Sequence, residues 1–415
     1  GIDKKILKKM RLRVRTMYEV TKEEEFLKKH FREFYKKNKV AAMGEIEKRE
    51  FGYGVYKRKI ANRNLSFQNA DAMNKFLIER TPLYFSYSNS CYVDPSASPM
   101  KNKHWLKGDI IYEFDADEVL TTCDKISGDW VCNKVFGEES FVEERGESKK
   151  QWFLQKSLEE TKKQVFRLVD FMESDFGFSK DLIDINFSGK AGYHVHLRNE
   201  SIQNLNKRAR IEMVDYITGY GMYYDNLGYS FDKSLNCSKD IGLWSNRINK
   251  GIKEFFNKDY LEIAKITGIS KKRAEVFSSA KEEIFKKIDS GLLYDVGQKT
   301  NKAFWKSVLD FVVATYMVPI DRQTSVDLHK IIRVPNTLHG ETGFIAKNLS
   351  LSELETFDPF VDGVVFDSKE IKIFVDDAPK FSLKGQEFGP FKNETVSVPL
   401  FCAVYLIGKG AKLKE

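Results

Sequence analysis

Residues 108–119, GDIIYEFDADEV, hold the densest run of groups able to do chemistry. If Ile110 to Asp117 form a strand, side chains alternate between its faces. Glu113, Asp115 and Asp117 then share one face, and Tyr112, Phe114 and Ala116 share the other. Three carboxylates on one face repel one another unless a cation neutralises them. Hard oxygen donors favour Mg²⁺ or Mn²⁺, which keep waters and bridge substrate phosphates. Two such ions could activate an attacking oxygen and stabilise a leaving one. The plain alternative is a solvated acidic strand end.

Two further segments carry phosphate-binding chemistry. In FSGKAGYHVHLR (187–198), Ser188, Gly189, Lys190 and Gly192 lie between strand-like runs, where glycines let backbone N–H groups approach a phosphate. His194 and His196 would share one strand face. A plain β-hairpin with two half-buried histidines explains the same residues. In DLHKIIRVPNTLHGETGF (327–344), Lys330, Arg333, His339 and Thr342 surround an apolar stretch broken by Pro335. These donors could bind a triphosphate, or form a solvated basic edge. Asp321 follows the apolar run FVVATYMVPI and is a candidate for a further metal carboxylate.

The elements that would position these groups can be read from periodicity. The first forty residues read as basic helix. Thr21 and Glu24 form a capping-box spacing, followed by the rows Phe26, His30, Phe34 and Leu27, Phe31, Tyr35. Residues 50–67 look like strands and a turn, 151–176 like a long amphipathic helix, 183–198 like two strands, and 206–219 like a helix. Residues 235–300 are Lys-rich and mostly helical. A helix near 301–316 precedes a β-rich end, with alternation in 369–375 and 398–407. Strands and helices mix without a βαβ repeat, so the expected class is α+β with a helical insertion. The expected organisation is a catalytic domain in two parts, 1–234 and 301–415, interrupted by a subdomain at 235–300.

The chain has 415 residues, 42% hydrophobic and 31% charged, which excludes disorder, collagen-like repeats and a disulfide scaffold. Lys and Arg number 68 against 60 Asp and Glu, a formal charge of +8 that permits a polyanionic partner without demanding one. Cys91, Cys123, Cys132, Cys237 and Cys402 are odd in number and scattered, which favours a reducing cytoplasm. No apolar run reaches the roughly 18 residues of a membrane span. The start, GIDKKILKKM, lacks the apolar core of a signal peptide, and its leading Gly resembles an expression remnant.

Together the three segments resemble the small, catalytic subunit of archaeal and eukaryotic replicative DNA primases. That family carries a hydrophobic strand with D-x-D, then S-G-x-x-G-x-H, then P-x-S-L-H-x-x-T-G. Here stand Glu113-Phe-Asp115-Ala-Asp117, Ser188-Gly-Lys-Ala-Gly192-Tyr-His194, and Arg333-Val-Pro335-Asn-Thr-Leu-His339-Gly-Glu-Thr342-Gly343. KREFGYG (48–54), RNLSF (63–67), YFSYSNSCYVDP (84–95), MKNKHW (100–105), FDPFVDGVVF (357–366) and VPLFCAVYLIGKG (398–410) extend the resemblance over roughly residues 25–410.

The resemblance implies the primase catalytic (prim) fold, with mixed sheets flanked by helices. It implies template-directed synthesis of short primers from nucleoside triphosphates on single-stranded DNA, in a replicating archaeal-type cell, by two-metal nucleotidyl transfer. It places metal carboxylates on Asp321 and on two members of the acidic strand. Spacing from Trp105 selects Glu113 and Asp115, whereas a literal D-x-D selects Asp115 and Asp117. A Glu at the first place keeps the charge and lengthens the arm. Ser188, Gly189, Lys190, His194, Arg333 and His339 match positions that hold the nucleotide's phosphates. Arg63 and Glu50 match positions near the same cleft. Ala191 departs from relatives with a basic residue there, for which Lys190 could substitute.

The family's zinc knuckle is expected to be missing. Cys123 and Cys132 stand after the acidic strand, but position 135 is Val135, and two cysteines do not close a zinc site. A large regulatory subunit is the expected partner, unless the chain is self-sufficient. Residues 265–277 resemble a helix-hairpin-helix, a binder of phosphate backbones. The rival readings are a primase-polymerase extending with deoxynucleotides, a metal-dependent nuclease, and a nucleic-acid-binding subunit with a decayed site.

Overall fold

The computed structural model describes residues 20–41, 43–116, 142–145, 148–151, 155–231, 234–239, 242–320 and 324–414. The expectations for Asp117, Cys123, Cys132 and Asp321 lie outside these residues. Antiparallel sheets mix with helices in an α+β arrangement.

Helix α1 (Lys22–Lys37) opens the described chain, with the Thr21 hydroxyl accepting from the Glu24 N–H at 3.2 Å. The Thr-x-x-Glu spacing thus marks the helix start. The Glu24 side chain is buried and paired with Lys28 at 2.7 Å. Leu27, Phe31 and Tyr35 form the buried stripe. Phe31 stacks on Phe366, and the Tyr35 hydroxyl accepts from the Leu338 N–H at 3.1 Å. The N-terminal helix is therefore docked against the C-terminal third of the chain.

One sheet is built around β3 (Tyr84–Tyr92). Along one edge runs β1 (Arg49–Val55), itself paired with the outer strand β2 (Arg58–Leu65). Helix α2 (Ala70–Arg80) connects β2 to β3. The other edge of β3 is shared by β4 (Trp105–Gly108) and β10 (Ile331–Arg333), all pairings being antiparallel. Ile331 lies opposite Ser88 and Arg333 opposite Ser86. This shared edge brings the third motif to the N-terminal half of the molecule.

The second sheet has the order β11 (Asn348–Leu349), β8 (Ile183–Phe187), β9 (Gly192–Leu197), β5 (Ile110–Asp115). Glu113, His194 and Asn186 stand side by side across it, as do Phe114, Tyr193 and Phe187. Alternation along each strand makes these two rows opposite faces of the sheet. The apolar face is covered by α3 (Gln155–Ser174), which lies against β5 and β9. A short hairpin, β6 (Val142–Arg145) with β7 (Ser148–Gln151), precedes α3.

The two sheets are joined through buried polar groups. Arg49 donates to Asp109 at 2.9 Å, and Gln203 donates to its other oxygen at 2.7 Å. Arg210, in helix α4 (Lys207–Thr218), donates to the carbonyls of Gly108 and Asp109. This network sits just before β5 and anchors the start of the acidic strand.

Residues 243–316 form helices α5 (Leu243–Phe256), α6 (Tyr260–Thr267), α7 (Lys271–Ser279), α8 (Lys281–Asp289) and α9 (Asn301–Tyr316). Helix α5 packs against α9, and Trp244 donates to the Tyr216 carbonyl at 2.8 Å. Gly268 ends α6 at φ 70°, a left-handed position that suits glycine, and Ser270 caps α7.

The C-terminal ribbon pairs β12 (Glu370–Ala378) with β15 (Phe391–Pro399) and β16 (Lys412–Leu413), beside the hairpin β13 (Phe381–Leu383) and β14 (Gln386–Phe388). The strand expected at 398–407 is corrected: Leu400–Gly408 is helix α10. Every residue from Leu400 to Ile407 is buried. A helix enclosed on all sides shows a continuous apolar run with no period to separate it from a buried strand. Tyr405 stacks on Phe344, which ties α10 to the loop after β10.

Candidate functional site

The polar face of the second sheet looks toward β10 across a cleft of about 280 Å³. Glu113 and Asp115 line it from β5, Ser188, Lys190 and His194 from the β8–β9 hairpin, and Arg333 and His339 from the third motif. Seven of the expected site residues, drawn from three distant segments, therefore meet at one place. Gly189 lies in the same turn without lining the cleft.

The hairpin turn is closed by its own hydroxyl. Ser188 Oγ accepts from the N–H groups of Lys190 (3.3 Å) and Gly192 (3.2 Å), leaving its proton free to donate outward. Gly189 adopts φ 82°, and a Cβ there would lie 2.9 Å from His339 Cβ. Gly192 lies so close to β5 that a Cβ would sit 2.2 Å from the Phe114 carbonyl oxygen and 2.3 Å from Asp115 Oδ1. Glycine here lets the turn and the acidic strand share one wall of the cleft.

Arg333 is held in an aromatic and backbone setting. Its guanidinium lies 5.2 Å from the Tyr84 ring centre, and Nη1 donates weakly to the Phe85 carbonyl at 3.5 Å. Its Nε is buried and has no hydrogen-bond partner among the described residues, and no carboxylate among them pairs with it. Burial lowers its pKa to about 10, so it stays cationic at neutral pH. A half-buried guanidinium whose Nε has no partner among the described residues invites an anion.

Burial biases both histidines toward the neutral form. His339 Nδ1 accepts from the Glu341 N–H at 3.2 Å, which places the ring proton on Nε2. Burial, reinforced by the nearby Arg333, Lys190 and Lys59 charges, holds its pKa well below the usual value. Burial also lowers His194 to about 4, against the opposing pull of Glu113. His194 Nε2 stands 3.6 Å from Glu113 Oε1, and its Nδ1 is buried with no hydrogen-bond partner among the described residues.

Glu113 is ion-paired with Lys330, the residue just before β10. Lys190 pairs with Glu341 at 3.0 Å. Among the described residues no group of three His, Cys, Asp or Glu is arranged to hold a metal ion. Glu113 and Asp115 supply two carboxylates on one strand face, a donor set that suits a hard divalent cation.

Arg63 is placed differently from its neighbours in the prediction. It does not line the cleft. Its guanidinium grips buried Glu50 through Nε at 2.8 Å and Nη2 at 3.1 Å, and it donates to the His329 carbonyl at 3.1 Å. Lys103 approaches the same carboxylate at 3.7 Å. Glu50 and Arg63 thus brace the segment leading to Lys330 and β10.

Lys59, Ser86, Ile60 and Ile331 also line the cleft and were not foreseen. Lys59 sits in the outer strand β2, four residues before Arg63 and outside the RNLSF motif. Ser86 faces the cleft only because β3 pairs with β10. For Ser86, the signal available in the sequence was the alternation of Tyr84-Phe-Ser-Tyr-Ser, which marks a strand but not its neighbour.

The family described as DNA primase small subunit matches residues 156–351. The chain is 28% identical over 410 residues to a DNA primase small subunit PriS of Methanothrix thermoacetophila, covering 93% of this chain and 97% of the relative. It is 29% identical over 411 residues to that of Haloarcula marismortui, covering 93% and 96%. With the Nitrosopumilus maritimus protein of the same name the identity is 26% over 395 residues, covering 92% and 96%.

Proposed function

We infer that the chain belongs to the family of DNA primase small subunits and is a primase catalytic subunit, a nucleotidyltransferase that makes primers. The observation that carries the site assignment is the convergence on one cleft of Glu113 and Asp115 with Ser188, Lys190, His194, Arg333 and His339. Carboxylates together with basic and imidazole donors in one cleft suit a nucleoside triphosphate, whose polyanionic tail needs positive partners while its α-phosphate reacts beside a metal.

Glu113 and Asp115 would hold a divalent cation, and the family resemblance assigns Asp321, outside the described residues, as the third carboxylate. Mg²⁺ or Mn²⁺ bound there would neutralise developing charge and lower the pKa of the attacking hydroxyl. The remaining work belongs to the chain's own donors. Arg333 supplies a fixed positive charge, Ser188 a hydroxyl proton, and His339 a neutral Nε2–H. Lys190, held by Glu341, adds a second cation at the turn. These groups orient the β and γ phosphates so that the α-phosphate faces a primer 3′-hydroxyl. The hydroxyl gives its proton to solvent water, its oxygen bonds to the α-phosphorus, the bond from that phosphorus to the bridging oxygen breaks, and pyrophosphate leaves with the electron pair. Such a transfer requires positioning and charge neutralisation more than covalent help from the protein.

The template is single-stranded DNA, and a large subunit is the partner this reading calls for. Among the described residues no helix is long and apolar enough to cross a membrane.

Arg333→Ala is expected to weaken nucleoside triphosphate binding about 10- to 100-fold, the cost of removing a charge-assisted hydrogen-bond donor. Calorimetric titration with a triphosphate in the presence of Mg²⁺ measures it. Arg333→Lys should recover part of the loss. Unchanged affinity in the alanine variant would place the phosphates elsewhere.

A further inference from the structure

We propose that Lys330 is a built-in counterion for Glu113: its ammonium occupies the carboxylate until a divalent cation displaces it, and so sets how tightly the site takes metal. The inference rests on the metal-site reading above and adds a competitor to it.

The geometry is specific. Lys330 comes from the third motif and Glu113 from the acidic strand, 217 positions apart, yet their charged ends meet at Glu113 Oε2. Both side chains are largely enclosed, Lys330 17% and Glu113 25% exposed, so screening by water is weaker than at the surface. The other carboxylate oxygen, Oε1, faces His194 Nε2 at 3.6 Å. Lys330 is thus an ammonium in direct contact with Glu113. Its backbone is well placed for the task. The Lys330 carbonyl accepts from the Asn89 N–H at 3.0 Å, and the following residues pair with β3.

A hard divalent ion needs carboxylate oxygens that are not already neutralised. An ammonium and a divalent cation at one carboxylate repel each other, so Lys330 and metal compete for the charge of Glu113. The displaced Lys330 would remain beside the cleft, where a bound polyphosphate offers it a new partner. Metal and nucleotide binding would then support each other through one lysine.

The test uses the full chain and Mn²⁺ alone, with free Mn²⁺ read by electron paramagnetic resonance. Lys330→Met is expected to tighten Mn²⁺ binding at least fivefold, while Lys330→Arg stays near wild type. In a Glu113→Gln background the Lys330→Met substitution should have no effect. Circular dichroism and thermal melts establish that each variant is folded. If Glu113→Gln weakens Mn²⁺ binding but Lys330→Met leaves it equal to or weaker than wild type, the counterion is overturned and the metal site stands. If Mn²⁺ binding is indifferent to Glu113→Gln, both are overturned.

Discussion

Asp115→Ala is expected to abolish nucleotide incorporation, with a fall of about a thousandfold or more, on the order of 4 kcal/mol of transition-state stabilisation. The substitution removes one of two carboxylates on a strand face that borders the Ser188–Gly192 turn. Asp115 lies opposite Gly192 in the β5–β9 pairing, so its loss does not open the apolar face beneath. The fold should survive, with a thermal midpoint close to wild type. Primer extension by purified variant and wild type, beside their melting curves, measures both halves. Extension at the wild-type rate would remove Asp115 from the reaction. Loss of activity together with unfolding would show a structural role instead.

The largest effect on stability is expected at Asp109, six residues upstream. Asp109→Ala should cost about 3–5 kcal/mol, the range for breaking a buried ion pair and leaving its partner uncompensated. Asp109 is 1% exposed and Arg49 2%. Removing the carboxylate would strand the Arg49 and Gln203 donors that now reach it. Arg49 also donates to the Ser88 and Asn89 carbonyls of β3 at 2.9 and 3.1 Å, so the defect would spread into the first sheet. A lowered midpoint in urea, with activity lost in proportion to unfolding, is the predicted signature. A midpoint within experimental error of wild type would mean that the network does not join the sheets.

The acidic strand was legible because a two-residue period shows which side chains share a face. Ile110, Tyr112 and Phe114 are indeed inside, and Glu113 and Asp115 border the cleft. The turn at 188–192 was legible from its glycines, whose need for close approach is visible in the space a Cβ would fill at Gly192. Helix α10 was misread because complete burial erases the period that distinguishes helix from strand.

The remaining gaps are tertiary. Nothing local to Lys59 or Ser86 announces that they line the site, because β2 and β3 are brought there by sheet pairing. Arg63 and Glu50 were expected near the cleft; that the Arg63 fork grips Glu50 follows from the β1–β2 register (Phe51 opposite Leu65) and not from sequence spacing. The Lys330–Glu113 contact likewise depends on how the two sheets face each other.

The most direct test of the account is a synthesis assay on single-stranded DNA templates, primed and unprimed. The full chain is supplied with labelled ribo- or deoxynucleoside triphosphates and either Mg²⁺ or Mn²⁺. The account predicts template-dependent products that require the divalent ion and vanish with Asp115→Ala. Which sugar is preferred separates a primer-making enzyme from one that mainly extends with deoxynucleotides. Absence of incorporation under every combination, by a folded chain that binds template and triphosphate, would contradict it.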